Sequence, residues 1–335
     1  MFLYKIIAPM FKILTLVVLV SIISLNNVFG QVLDYTDNSP VETFINEEFC
    51  FTDEFTNSGA TGYGPYVRIE TPPEITLNSV DFLGSSVTIN DLGVYAGVAI
   101  ADPILTGVDG NPTGTALDSI TGTVGNHIYV VQFPVGSVVD GGPDFEVQYC
   151  YTIDLSATIG VAQNIAIEPA YYLGDAATGV NGPLFMPIVT ESVVPIAFLF
   201  TKISDNFEDE TTPGSCTPIE YTLNVNIANG ITLSNLEISD VLPPELQFVS
   251  IISNSGCTET TLPSAVTPGG NLLITCPTVT GGLIPNDVTI VYDSYVIDIL
   301  DETICDLHEL KNAASASTTG HPVQLAADTS DVQHV

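Results

Sequence analysis

Residues 220–227 read EYTLNVNI, in which Tyr221, Leu223, Val225 and Ile227 alternate with polar neighbours. A period of two sends alternate side chains to opposite faces, which marks a half-buried strand. The same alternation runs through VRIETP, SSVTIND, NHIYVVQF, FEVQYCYTIDL, NLLITCPTV and DVTIVYDSYVIDIL. Clusters of Gly, Pro, Asn and Asp such as VDGNPTG, DGGPD and TPGG punctuate these runs. Sustained helical periodicity is absent, and ETICDLHELKN alone suits a helical turn or two. Many short strands with regular turn signals predict an all-β chain built of β-sandwiches. A length of 335 residues fits two of them.

An internal repeat supports that count. FCFTDEFTNSGATGYGPYVRIETPPEITLNSVDF in the first half parallels IEYTLNVNIANGITLSNLEISDVLPPELQFVSI in the second. Each carries a strand, an Asn with Gly soon after (Asn57 and Gly59; Asn229 and Gly230), another strand, then Pro-Pro-Glu and an apolar strand. The triplets are Pro72, Pro73, Glu74 and Pro243, Pro244, Glu245. Each half closes with an alternating strand and then an Asn among small residues, in AQNIAIEP and LKNAASAST. The expected division is a first sandwich over residues 31–197, a second over 198–320, and a linker or the start of a further repeat over 321–335.

The N-terminus sets the compartment. Residues 1–12 are basic and free of acids, and an apolar run, ILTLVVLVSII, follows. Val28 and Gly30 stand at −3 and −1 of a small-residue cleavage site before Gln31. The pattern predicts a cleaved signal peptide over residues 1–30, with a run too short to span a bilayer comfortably; the alternative is an uncleaved membrane anchor. The remainder contains no second long apolar run, so a secreted chain without a membrane span is expected. Cleavage removes Lys5 and Lys12 and leaves three cations against thirty-nine acids. So negative a surface repels phosphate backbones, which argues against a nucleic-acid partner.

Six cysteines in an exported chain point to disulfides. Cys50 and Cys150 both lie in strand-like runs of the first half. Cys257 and Cys276 flank one hairpin or loop. Cys216 and Cys305 remain, near the two ends of the second half. The expected pairs are Cys50–Cys150, Cys257–Cys276 and Cys216–Cys305. No CxxC pair occurs and the chain has four His, which argues against a zinc site.

The second half carries Lys202, Pro213-Gly214, Tyr221-Thr222, Asn229-Gly230, Asp240-Val241-Leu242-Pro243 and Asn312-Ala313 in that order. In these residues it resembles the conserved-repeat domain of bacterial surface proteins. Asn229-Gly230 and Asn312-Ala313 depart from that family's pattern in lacking an intervening residue. The first half is similar but more divergent. The resemblance implies Ig-like sandwiches strung as stalk or adhesion segments of a cell-surface adhesin. It places Lys202 on the first strand, Asp240 at the end of an intermediate strand and Asn312 on the last. A buried Lys, Asn and acid are the parts of a spontaneous isopeptide bond, for which related surface sandwiches are known. Burial favours the neutral, nucleophilic amine and the protonated acid. The plainer alternative for Lys202 is a snorkelling side chain paired with an acid such as Asp205.

Other chemistry finds less in the sequence. Asp205, Glu208 and Asp209 in DNFEDE, with Asp109 in VDGNPTG, are weak calcium candidates that lack EF-hand spacing. GxSxG, HExxH and a phosphate-binding glycine loop are all missing, so no enzyme is expected. The alternative function is a carbohydrate- or protein-binding module recognising a surface glycan or protein. The chain has no Trp, so its aromatic platform would fall to Tyr63, Tyr66, Tyr171 and Tyr172.

Overall fold

Alternation becomes strand wherever both faces find a use. The computed structural model describes residues 33–36, 39–57, 61–104, 119–139, 141–172, 183–205, 218–282, 287–297 and 307–333. Among them are strands and turns but no helix. The chain folds into two compact units. One comprises residues 1–40, 50–151 and 164–192, and the other residues 41–49, 152–163 and 193–335.

The strands of the first half are β1 (Leu33–Thr36), β2 (Glu42–Phe44), β3 (Glu48–Asn57), β4 (Gly62–Thr71), β5 (Ile75–Phe82), β6 (Ser85–Ser86), β7 (Ile89–Val94), β8 (Ile100–Ala101), β9 (Ser119–Ile120), β10 (His127–Gln132), β11 (Ser137–Val138), β12 (Phe145–Ile153), β13 (Gln163–Tyr172), β14 (Pro183–Phe185) and β15 (Val189–Ile196). One sheet runs β1-β3-β12-β5-β6 and the other β2-β15-β13-β4-β10-β7, with β11 on β4 and β14 on β13. The second half continues with β16 (Phe198–Ser204), β17 (Ile219–Ile227), β18 (Thr232–Leu242), β19 (Leu246–Ser253), β20 (Thr258–Thr261), β21 (Gly270–Thr280), β22 (Val288–Val296), β23 (Leu307–Ser317) and β24 (Gln324–Gln333). Its sheets run β16-β17-β22-β19 and β20-β21-β18-β23-β24.

The two halves share a strand order. The path β1-β3-β12-β5 corresponds to β16-β17-β22-β19, and β7-β10-β4-β13-β15 to β20-β21-β18-β23-β24. The Pro-Pro-Glu triplets make the same turn in both. The amide of Ile75 donates to Pro72 O and that of Leu246 to Pro243 O, each at 3.0 Å. Pro73 and Pro244 occupy the second turn position, where the fixed φ of proline favours the bend.

In the second sandwich β17 and β22 alternate buried and half-buried along their whole length. Their inward residues meet Leu233, Leu236, Ile238 and Leu242 of β18 in a continuous apolar core. The phase of β18 changes on the way. Leu233 and Leu236 are both buried although three residues apart, and Asn235 between them has a left-handed φ of 55°. That irregularity turns the even-numbered positions inward and brings Asp240 to the core face. Residues 307–312, in the stretch that suited a helical turn, are strand instead, because pairing with β24 runs through Leu307–Ala316. The segment expected as a linker or new repeat thus supplies an edge strand.

A tight seat closes β17 onto β18. The amide of Ile231 donates to Ala228 O across Asn229-Gly230, with Gly230 at φ 78°. Gly281 packs on this turn, and a Cβ there would run into the carbonyl oxygens of Ala228 and Ile227. Backbone cannot give way as a flexible side chain can. Gly281→Ala should therefore cost about 1–3 kcal/mol in overpacking, measured as a lower urea midpoint at unchanged m value.

Candidate functional site: a buried lysine cluster

β16 points Phe198, Phe200 and Lys202 at the core in turn. The lysine is therefore inward by the same alternation that buries the two phenylalanines. Its side chain is 0% exposed, as is that of Asp240. Lys202 Nζ donates to Asp240 Oδ2 at 2.6 Å. The Tyr292 hydroxyl, from β22, donates to the same oxygen at 2.7 Å. Asn312 Nδ2, from β23, donates to the Tyr292 hydroxyl oxygen at 2.9 Å. Asp240 and Asn312 face the same side because Asp240 pairs with Ala314, two residues beyond Asn312. A single chain of hydrogen bonds thus links amine, carboxyl, phenol and carboxamide across both sheets.

Aromatic rings close the site. Lys202 Nζ lies 4.9 Å from the Tyr221 ring centroid and 6.0 Å from that of Tyr292. The two rings stack at 5.3 Å. Ala314 and Ala316, buried on β23, keep that strand's inner face small. Two buried oxygens, Asp240 Oδ1 and Asn312 Oδ1, have no hydrogen-bond partner among the described residues.

The electrostatics follow from burial. Loss of water pushes the Lys202 ammonium towards the neutral amine, against the pull of the Asp240 carboxylate. Loss of water likewise raises Asp240 towards its protonated form, against the pull of Lys202. Burial also raises the Tyr292 phenol, so it stays protonated and able to donate. Desolvation disfavours each charged form. The arrangement can hold a neutral nucleophile beside a proton-bearing acid and a carboxamide.

The sequence brought Lys202, Asp240 and Asn312 to attention, and the structure places them in this one cluster. It also adds Tyr292, which the alternation in DVTIVYDSYVIDI marks as inward. A buried Tyr hydroxyl requires a partner, and this is the signal that could have found it. Asp205, suggested as a partner for Lys202, is exposed and accepts a backbone bond from Glu220 instead.

The remaining candidates sit elsewhere. Cys50 is bonded to Cys150 and Cys257 to Cys276. Cys216 and Cys305 lie outside the described residues, as do Glu208, Asp209 and Asp109. Glu48, Cys50 and Cys150 come together at metal-binding distances. The two sulfurs are joined in the disulfide, which removes them as thiolate ligands. Tyr66 and Tyr171 are buried at 0% and 2% exposure, so they offer no stacking platform. Tyr63 is half-buried, and the side chain of Tyr172 is outside the described residues. Arg68, the chain's single arginine, donates to Asp102 through Nε at 3.1 Å and Nη2 at 2.5 Å and lies over the Phe185 ring.

No protein-family model matches the chain. No curated protein matches it either. Solved structures give distant likenesses. AvmM, which catalyses macrocyclization in alchivemycin A biosynthesis, aligns at 10% identity with a TM-score of 0.33, over 50% of this chain and 89% of its own. The C-terminal fragment of the major pilin GBS80 of Streptococcus agalactiae aligns at 12% identity and TM-score 0.29, over 89% of this chain and 90% of its own. The C-terminal domain of the Streptococcus pyogenes antigen I/II-family protein AspA aligns at 10% identity and TM-score 0.28, over 91% and 99%. Likenesses this distant carry no argument about this chain. Among the described residues no helix is long and apolar enough to cross a membrane.

Proposed function

We propose that the chain is a structural stalk or adhesion segment of an exported bacterial surface protein, with its second sandwich closed by an amide between Lys202 and Asn312. The observation that carries this reading is the fully buried Lys202 amine, hydrogen-bonded to Asp240 in a chain that ends on the Asn312 carboxamide. The signal-peptide pattern supports export. Two disulfides support a chain built for an oxidising compartment.

The chemistry balances without a cofactor. Lys202 passes a proton to Asp240 and becomes a neutral amine. Nζ attacks Asn312 Cγ, and the Nζ–Cγ bond forms. Asp240 Oδ2 already accepts two hydrogen bonds, so its proton belongs on Oδ1. Asn312 Oδ1 is a buried acceptor without a donor among the described residues, and a proton offered there relieves the developing oxyanion. The Cγ–Nδ2 bond then breaks. As it breaks, Tyr292, bonded to both Asp240 and Nδ2, relays the Asp240 proton to the departing nitrogen, which leaves as ammonia, and Nζ gives its surplus proton back to the Asp240 carboxylate, leaving a neutral amide. A covalent tie between β16 and β23 would join the first strand of one sheet to a strand of the other. Pulling on the ends of such a sandwich would then leave the strands between Lys202 and Asn312 out of the line of force, with β24 alone beyond the tie.

Intact mass of the reduced, secreted chain tests the reading. The wild type should be lighter than its mature sequence by one ammonia, and Lys202→Ala should show its full mass. Full mass in both would sink the cross-link and leave the stalk reading to the disulfides alone.

A further inference from the structure

β24 brings another carboxylate to this cluster. The strand lies beside β23, and Asp328 stands opposite Asn312 in its register. Ala326 packs against the second core, so Asp328, two residues on, faces the same side. Asp328 Oδ2 is buried with no hydrogen-bond partner among the described residues. β16, which carries Lys202, packs against β24.

The first sandwich repeats the arrangement. β15 lies beside β13 as β24 lies beside β23, and its Glu191 is fully buried. Both halves thus follow their closing strand with one that turns an acid inward. A carboxylate in such a position is costly unless a cation compensates it. The charged and titratable groups facing Lys202 are Asp240 from β18, Tyr221 from β17, Tyr292 from β22 and Asp328 from β24.

We propose that Asp328 is a positioning residue of the Lys202 site, delivered by β24, and that its carboxylate restrains the lysine amine before the amide forms. Docking of β24 therefore sets the pace of cross-linking. The timing part rests on the Lys202–Asn312 reading above, whereas membership of Asp328 in the site does not. Its charge acts on Lys202 in the direction that retains the proton, opposing desolvation. Replacing Asp328 by Asn removes that charge at constant shape. The amine should then lose its proton at lower pH.

The decisive experiment uses the full chain with Asn312→Leu, which cannot form the amide, and lysines labelled with ¹³C at Cε. The chain is poor in lysine, so the Lys202 and Lys311 signals are separable by NMR. Adding Asp328→Asn should move the Lys202 titration to lower pH, with the exposed Lys311 as the internal reference. An unmoved Lys202 titration overturns the assignment. With Asn312 restored, freshly synthesised Asp328→Asn chain should lose ammonia faster than the parent at neutral pH, timed by intact mass. A shifted titration with an unchanged rate overturns the control of timing. A parent that never loses ammonia overturns the cross-link reading, while the titration still decides whether Asp328 belongs to the site.

Discussion

Asp240→Ala should destabilise the second sandwich by about 3–5 kcal/mol and leave the chain at its full sequence mass. Both effects have one origin. Asp240 is the hydrogen-bonded counter-ion of Lys202, and the two side chains are completely buried. In the proposed reaction, removing the acid takes away the proton acceptor that frees the amine as nucleophile. It also leaves the buried amine without its hydrogen-bonded counter-ion, beside the Tyr221 ring and out of reach of water. A buried charge without its partner is far more costly than the pair is stabilising. The double variant Lys202→Met/Asp240→Leu should also have full mass yet recover the part of the loss due to the stranded charge, because it removes both charges at similar volume. Urea unfolding read at constant m value separates the two variants. If Asp240→Ala unfolds at the wild-type midpoint, Lys202 has another way to reach solvent and the buried cluster is not as described.

Loss of Cys50–Cys150 is the other large effect. The two residues are 100 apart in sequence. Closing a loop of that length removes unfolded-state entropy worth about 4–5 kcal/mol in the chain-entropy account. The bond joins the neighbouring strands β3 and β12, so it ties the centre of the first sheet. Cys50→Ser/Cys150→Ser should therefore lower the stability of the first sandwich by about that amount. The corresponding change at Cys257 and Cys276, 19 apart, should cost about 3 kcal/mol in the second. Unfolding curves of the two double variants, each followed by a probe in its own sandwich, give the comparison. Equal losses would show that native-state packing, rather than loop length, decides the contribution of each bridge.

These effects were unequally visible in the sequence. Strand identity was legible in EYTLNVNI and DVTIVYDSYVIDIL because period two is a local property, and both runs bury their alternate residues. The repeated Pro-Pro-Glu turns were legible because proline fixes its own φ. The end of the second sandwich was not. HPVQLAADTSDVQHV carries few large apolar residues, and β24 owes its place to backbone pairing with β23 rather than to a hydrophobic face. Asp328 was missed for that reason. The helical turn suggested for ETICDLHELKN gives way to strand over its described residues 307–312 on the same ground, since edge pairing prevailed over a weak local preference.

The sequence by itself determined an all-β chain, a repeated strand–turn pattern and a Lys, an Asp and an Asn at matching places in it. All of these follow from short-range chemistry: side-chain alternation, turn residues and residue identity. Only the tertiary structure decided that Lys202 is buried rather than snorkelling. One residue of phase in β18, taken at Asn235, determines whether Asp240 faces the core or water. The bonds through Tyr292 depend on two sheets meeting face to face, which no local pattern specifies. Packing of residues distant in sequence removes the water from these groups, and that loss of water pushes the Lys202 ammonium towards the neutral amine.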